Sequence, residues 1–116
     1  MRRLPLLAVL LLFHLGCSAI DRMSGVADTK SLQQTGTPAE ALILRIWDTG
    51  MTVNDDPVIG MDVEVRPAEG DAWNATIPKS LVSRIDIPRF QPGQTVTVRF
   101  DPRDRSRVGL DEYQYR

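Results

Sequence analysis

Histidine and cysteine, which serve most often as nucleophiles, general bases and zinc ligands, occur once each in this chain of 116 residues. They are His14 and Cys17, and both lie near the amino terminus. Ser-His-Asp and Cys-His nucleophile systems need at least one histidine, and zinc sites need several histidine or cysteine ligands. Since residues 18–116 contain neither type, we expect none of these chemistries in the body of the chain.

Carboxylates are the remaining groups that could carry out catalysis. A glycosidase-like pair needs two carboxylates that face each other across a cleft, and so short a chain has little room for one. The sequence Asn54-Asp55-Asp56 lacks the alternating spacing of a calcium-binding loop and is interpreted as a hairpin turn. The glycines are scattered and form no phosphate-binding loop. We therefore expect no enzymatic activity, no metal and no cofactor, and a carboxylate-dependent hydrolase is the least favoured alternative.

The densest cluster of charges lies near the carboxyl terminus. Its arginines offer contacts for an anionic partner such as a phospholipid head group. The interspersed acids favour another interpretation, in which Asp side chains hydrogen-bond the local backbone and pair with the arginines in a solvated turn. The candidate contact residues are Arg99, Arg103, Arg105 and Arg107.

The overall charge balance gives no general attraction to nucleic acid. The chain has 14 Lys and Arg against 15 Asp and Glu, a formal net charge of −1. The apolar fraction of 42% and the charged fraction of 25% are those of a globular protein, and the length suits one domain at most. Nothing in the composition indicates the oligomeric state.

The first 17 residues have the organisation of an export signal. Arg2 and Arg3 form a basic start. The apolar segment from Leu4 to Phe13 is too short to cross a hydrocarbon core, which needs about 20 apolar residues. The small residue Gly16 then precedes Cys17. This pattern predicts export through the general secretory route.

The segment resembles the signal of bacterial lipoproteins, although His14 stands where that pattern usually has an aliphatic residue. In that family the signal is cut before the cysteine, here between Gly16 and Cys17, and the thiol receives a diacylglycerol. The resemblance implies a protein held on a membrane by acyl chains on Cys17. It favours the outer membrane where two membranes are present, since Ser18 rather than Asp follows the cysteine. Cleavage after Ala19, giving a secreted or periplasmic protein, and an uncleaved anchor are the alternatives.

A polar segment follows the cysteine, from Ser18 to Pro38. It shows no sustained period of 2 or 3.6 and is interpreted as a flexible linker, with a short helix around Val26 to Gln34 as the alternative. Fully stretched, the linker would reach about 70 Å. The predicted organisation is therefore a signal peptide at 1–16, a lipidated terminus and tether at 17–38, and a β domain at 39–116.

From Ala39 onward, apolar residues alternate with polar ones as they do in half-buried strands. Turn residues separate the runs, a helical turn is predicted from Lys79 to Arg84, and Val108 and Leu110 suggest a short closing strand. The pattern predicts an all-β fold, a small antiparallel barrel or sandwich of about five or six strands, with an OB-like barrel as one form. Trp47, like Trp73, is placed in the core or at its edge, and the alternative is that one of the two lines a binding face. The predicted core is Leu42, Leu44, Ile46, Ile59, Met61, Val63, Val65, Trp73, Ile77, Val96, Val98 and Phe100.

The region from Ala39 to Leu110 resembles an uncharacterised family of small, membrane-attached bacterial β domains. The shared signature is a Pro-Gly turn, an alternating strand and the motif Asp-Pro-x-Asp-x-Ser-x-Val. Here it runs from Pro92-Gly93 to Val108. The resemblance implies a β fold and a membrane location, and it implies no activity.

Together these features predict a membrane-anchored, non-catalytic lipoprotein of the cell envelope. Its β domain is expected to bind another envelope protein or a cell-wall component. A barrel that binds a small ligand or a lipid is the alternative, and it would require small inward side chains around a cavity.

Overall fold

The computed structural model describes residues 23–111. One antiparallel sheet of five strands has the order β3-β2-β1-β4-β5. A helix, α1, precedes the sheet, and a short 3-10 helix lies between β3 and β4. The fold is therefore all-β in its main body, as the sequence predicts. The elements are α1 (Val26–Thr35), β1 (Thr37–Val53), β2 (Asp56–Arg66), β3 (Trp73–Leu81), the 3-10 helix (Arg84–Arg89), β4 (Thr95–Asp101) and β5 (Asp104–Leu110).

The long central strand β1 joins the two halves of the sheet. Its first residues pair with β4, where Thr37 lies opposite Phe100, and most of its length pairs with β2. The sheet is not closed by hydrogen bonds, because β3 and β5 are edge strands that run in the same direction without pairing in the described residues. Their first residues still meet, since the indole Nε1 of Trp73 donates to the carbonyl oxygen of Arg105 at 2.9 Å. The result is a partly open, barrel-like sheet, and an OB-like form is compatible with it.

The core lies inside this curved sheet and is filled by branched and aromatic side chains. Eight residues of the predicted core are buried, and Trp73 packs against them at the edge. Phe90, which follows the 3-10 helix, is fully buried in the same cluster. The eight buried residues are Ile59, Met61, Val63, Val65, Ile77, Val96, Val98 and Phe100.

The predicted orientation of β1 is wrong. Ala41 and Ile43 point inward and are at most 1% exposed, whereas Leu42 is half-buried and Leu44 is 42% exposed. Ile46 is only partly buried. A register shift of the β1–β2 pairing just after Ile43 changes which side of the sheet the following side chains face.

Two of the turns have the predicted form. Asn54 and Asp55 connect β1 to β2 with φ angles of 51° and 69°, the left-handed backbone of a tight hairpin. In the β4–β5 hairpin, Asp101 Oδ1 accepts the backbone N–H of Arg103 at 2.8 Å. The helical turn predicted from Lys79 to Arg84 lies further along the chain, because β3 continues to Leu81 and the 3-10 helix begins at Arg84.

The structure has a helix where the sequence favoured a flexible linker, and this corrects the linker interpretation for residues 26–35. Leu32 of α1 is 2% exposed, and its Cδ1 would lie 2.9 Å from a Cβ placed on Gly109. Gly109 faces outward because its neighbours Val108 and Leu110 belong to the core. The helix therefore lies on the outside of β5, and its few apolar residues explain why no helical period is visible in the sequence.

Candidate functional site

The predicted lipidation residue Cys17, its preceding Gly16 and the histidine at position 14 lie outside the described residues. Between residues 23 and 111, no helix is long and apolar enough to cross a membrane.

Two of the four candidate arginines, Arg99 and Arg107, form ion pairs. Arg99 is partly buried, and its guanidinium donates to Asp111 Oδ1 at 2.8 Å and to the carbonyl oxygen of Gly36 at 3.0 Å. Arg107 lies 3.6 Å from a carboxylate oxygen of Asp101 and 3.4 Å from one of Asp28 in α1. Both arginines hold neighbouring elements together.

The other two arginines are more exposed. The guanidinium of Arg105 lies over the indole ring of Trp73 at 4.8 Å, an attractive contact between a cation and an aromatic face. The side chain of Arg103 has no ion pair with a described residue. Arg99, Arg105 and Arg107 thus contact different groups, and no contact in the described residues brings the four guanidinium groups to one anion site.

An open depression on the outer face of the sheet is the best candidate for a contact surface. Its volume is about 660 Å³, and it extends from β1 across β2 and β3 to β5. Asp62, Asn74 and Thr76 point away from the core because they alternate with inward residues of β2 and β3, whereas Ala75 lies opposite the buried Val63 and packs against the core. We call this surface the outer depression, and its lining residues are Leu44, Asp62, Asn74, Ala75, Thr76 and Ser106.

Most polar groups of the outer depression already have partners. Asp62 accepts a hydrogen bond from the Thr76 hydroxyl at 2.7 Å and lies 3.2 Å from Nε of Arg45. Ser106 donates to Asp104 Oδ1 at 2.6 Å. The amide of Asn74 has no hydrogen-bond partner in the described part of the chain, and Leu44 exposes an apolar side chain beside it. The surface therefore combines one free amide with one exposed aliphatic group.

Trp47 lies next to this surface and covers part of β2. It is directly opposite Gly60 in the β1–β2 pairing, and any side chain at Gly60 would collide with its indole ring. The guanidinium of Arg45 lies 4.7 Å from the centre of the same ring. Trp47 is held flat on the outer face of the sheet between Gly60 and Arg45, outside the core cluster and the residues packed against it, so its predicted place in the core or at the core edge is wrong.

Two carboxylates on the outer face of β2 take part in ion pairs. Glu64 lies beside Asp62 on the outer face of β2 and pairs with Arg66 at 2.8 Å, so both acids have cationic partners. Within residues 23–111, no group of three or more histidine, cysteine, aspartate or glutamate side chains is arranged to hold a metal ion.

The sequence did not identify the outer depression. The predicted core includes Leu44, which is exposed, and the predicted contact residues do not include Asn74. The one available signal was the run Leu42-Ile43-Leu44, in which three adjacent apolar residues cannot all face one side of a strand.

Comparisons with known proteins assign no family to the chain. No family model, no curated protein and no solved structure matches it. The two resemblances drawn from the sequence motifs therefore stay predictions.

Proposed function

We propose that this protein is a lipoprotein of the bacterial cell envelope, anchored through Cys17, whose β domain is a non-catalytic binding module. The proposal for the anchor rests on the basic start, the short apolar segment and the cysteine that follows Gly16. A cysteine that carries two or three acyl chains would hold a small domain on a membrane stably.

The filled core is the observation that carries the binding proposal. Met61, Val63 and Val98 are fully buried in one continuous cluster, so large side chains occupy the space that a ligand-binding barrel would keep open. This supports recognition on the outside of the sheet over the alternative of an internal ligand. The outer depression provides two groups for contact with an envelope protein or a cell-wall component: the apolar side chain of Leu44, and the amide of Asn74, which has no partner among residues 23–111.

The anchor is tested by replacing the lipidated atom. Cys17→Ser should release the protein from the membrane fraction and abolish its labelling by radioactive fatty acid. Ser18→Ala, which changes the next residue and leaves the thiol, is the matched control and should stay in the membrane. Membrane attachment and labelling that persist in Cys17→Ser would refute the anchor.

The binding surface is tested by photo-cross-linking in intact cells. A photoreactive amino acid at position 44 should give a cross-linked product of defined mass with one envelope component. The same probe at the exposed loop residue Ala68 is the control. The Asn74→Ala substitution should reduce the cross-link from position 44. Equal products from positions 44 and 68, or none from either, would refute a binding role for the outer depression.

A further inference from the structure

The docked helix α1 changes how far the β domain can stand from its anchor. The described part of the chain begins at Met23, Ser24 is already 1% exposed, and at Gly25 a side chain would collide with the backbone carbonyl of Lys79 in β3. Gly25 also has a φ angle of 83°, which favours glycine. The amino-terminal end of α1 is therefore fitted closely against β3. The tether ends at this contact and not at the start of β1.

This contact shortens the free tether by more than half. Whatever their conformation, the eight residues from Ser18 to Gly25 span at most about 27 Å at about 3.4 Å per residue. If α1 were free, the nineteen residues from Ser18 to Gly36 would reach about 65 Å. A domain held by the shorter tether cannot move far from the membrane that holds its lipid.

The contact also shows which end of the sheet lies next to the start of α1. Lys79 lies two residues before the end of β3 at Leu81, and the 3-10 helix continues from that same end. Three large apolar side chains are strongly exposed in the described residues, and two of them are close in sequence to this contact. Met23, two residues before Gly25, is 55% exposed, and Ile85 of the 3-10 helix is 86% exposed.

The charges around Ile85 are balanced. The guanidinium of Arg84 donates to the carbonyl oxygen of Asp55 at 2.8 Å, and its backbone N–H donates to Asp56 Oδ1 at 3.0 Å. Arg89 lies 3.9 Å from Asp86. This end carries three cationic side chains, Lys79, Arg84 and Arg89, and an equal number of aspartates, so it has no net attraction to anionic lipids. Its contact with a bilayer would come from the apolar side chains.

We propose that the end of the domain that carries Ile85 lies against the surface of the lipid bilayer. The inference rests on the proposed lipid anchor at Cys17. The docked helix α1 holds the end of the sheet that carries Ile85 against the membrane, and Ile85 inserts its side chain into the interface, where apolar groups of peripheral proteins lie about 5–10 Å deep. The outer depression then stays accessible to a partner in the envelope.

The chain itself offers a clean reporter for this contact. Its one cysteine is the proposed lipid site, so Ile85→Cys introduces a single free thiol for a fluorescent label. The matched control is Arg103→Cys in the β4–β5 hairpin, at the opposite end of the sheet. The nine residues of β3 span eight steps of about 3.3 Å, which place that hairpin about 26 Å from the end of the sheet that carries Ile85. Both side chains are exposed, so neither substitution threatens folding.

The experiment measures quenching of each label by brominated acyl chains. The full-length protein is purified from membranes and reconstituted in vesicles of phosphatidylethanolamine and phosphatidylglycerol. Quenching at position 85 should exceed quenching at position 103 by at least about threefold, because only the first label reaches the interface. The difference should persist in high salt, because the charges near Ile85 are balanced.

The outcomes separate this inference from the proposed function. Protein that sediments with the vesicles but shows equal quenching at the two positions overturns the membrane contact and leaves the lipid anchor standing. Protein that does not sediment, and carries no fatty acid, refutes the anchor and the membrane contact together. Quenching that disappears in high salt would show an electrostatic contact and would also overturn the inference.

Discussion

The attachment of α1 to the sheet depends on one apolar side chain, Leu32, which is the only buried residue of the helix. A helix of 10 residues is shorter than the roughly 12–15 residues that are marginally stable alone in water. The ion pair between Asp28 and Arg107 is largely exposed on the Asp28 side, and such pairs contribute less than about 1 kcal/mol. We therefore expect Leu32→Ala to release the helix while the sheet stays folded.

The magnitude follows from the burial of Leu32, which is 2% exposed. Loss of this side chain from its contact with Gly109 should weaken docking by about 2–3 kcal/mol. Because each 1.4 kcal/mol is about tenfold, the equilibrium constant for undocking should rise about 30- to 150-fold. Native-state hydrogen exchange measures this directly. The amide of Gly36, bonded to the Leu32 carbonyl at 2.7 Å, and that of Thr29, bonded to Gly25 at 3.1 Å, report on the helix.

The matched control is Leu44→Ala, since Leu44 is 42% exposed and far less of its surface leaves water on folding. It should change exchange in α1 by less than about twofold, as surface substitutions usually cost under about 0.5 kcal/mol. In Leu32→Ala, amides of the β1–β2 pairing should keep their protection. Equal acceleration of the helix and the sheet would refute separate undocking, and unchanged exchange in the helix would refute the role of Leu32.

Three further predictions test contacts within the sheet. Gly60→Ala should lower the free energy of unfolding by about 1–3 kcal/mol and change the tryptophan fluorescence, because the new methyl group displaces the indole of Trp47; an unchanged denaturation midpoint would contradict this. Arg99→Gln should cost about 1–3 kcal/mol in chemical denaturation because it removes two hydrogen bonds of a charged group, whereas Arg103→Gln should cost less than about 0.5 kcal/mol, and equal losses would contradict the assigned partners. Asp55→Gly should raise the thermal midpoint by an amount equivalent to about 0.5–1 kcal/mol, because glycine adopts the φ angle of 69° without strain, and a lower midpoint would contradict the turn geometry.

The strands with regular alternation were predictable, and β1 shows where this reasoning stops. In β2, Met61, Val63 and Val65 alternate with polar residues, and all three are buried as expected. In β1 the apolar run is continuous around Ile43, so the period of 2 does not decide which residues face inward. Small barrels also fit small residues into crowded interior positions, and Ala41 lies opposite both Val65 and Val96. Tertiary crowding therefore favours an alanine where hydropathy favours Leu42.

The helix and the outer depression were harder to predict for a related reason. Hydrophobic periodicity detects a helix that buries a stripe of apolar residues, but α1 buries only Leu32. The position of the helix depends instead on two close contacts that glycine permits. Gly25 lies against the backbone of Lys79, and Gly109 lies beneath Leu32. A glycine that permits close contact between two elements looks in the sequence like any glycine of a loop. The outer depression, likewise, depends on residues from separate strands that only the sheet brings together.

An open edge between β3 and β5 carries a physical risk, because unpaired strand edges invite pairing with other chains. Two groups of contacts cover this edge, one near the start of β3 and one near its end. Near the start of β3, the indole N–H of Trp73 donates to the carbonyl oxygen of Arg105, and the guanidinium of Arg105 lies over the indole ring. Near the end of β3, Gly25 of the α1 segment contacts Lys79, while Leu32 packs on β5. The same helix that shortens the proposed tether therefore also protects the edge. A loss of docking would lengthen the tether and expose a strand edge in one step, so the two properties cannot be changed independently by substitutions at Leu32.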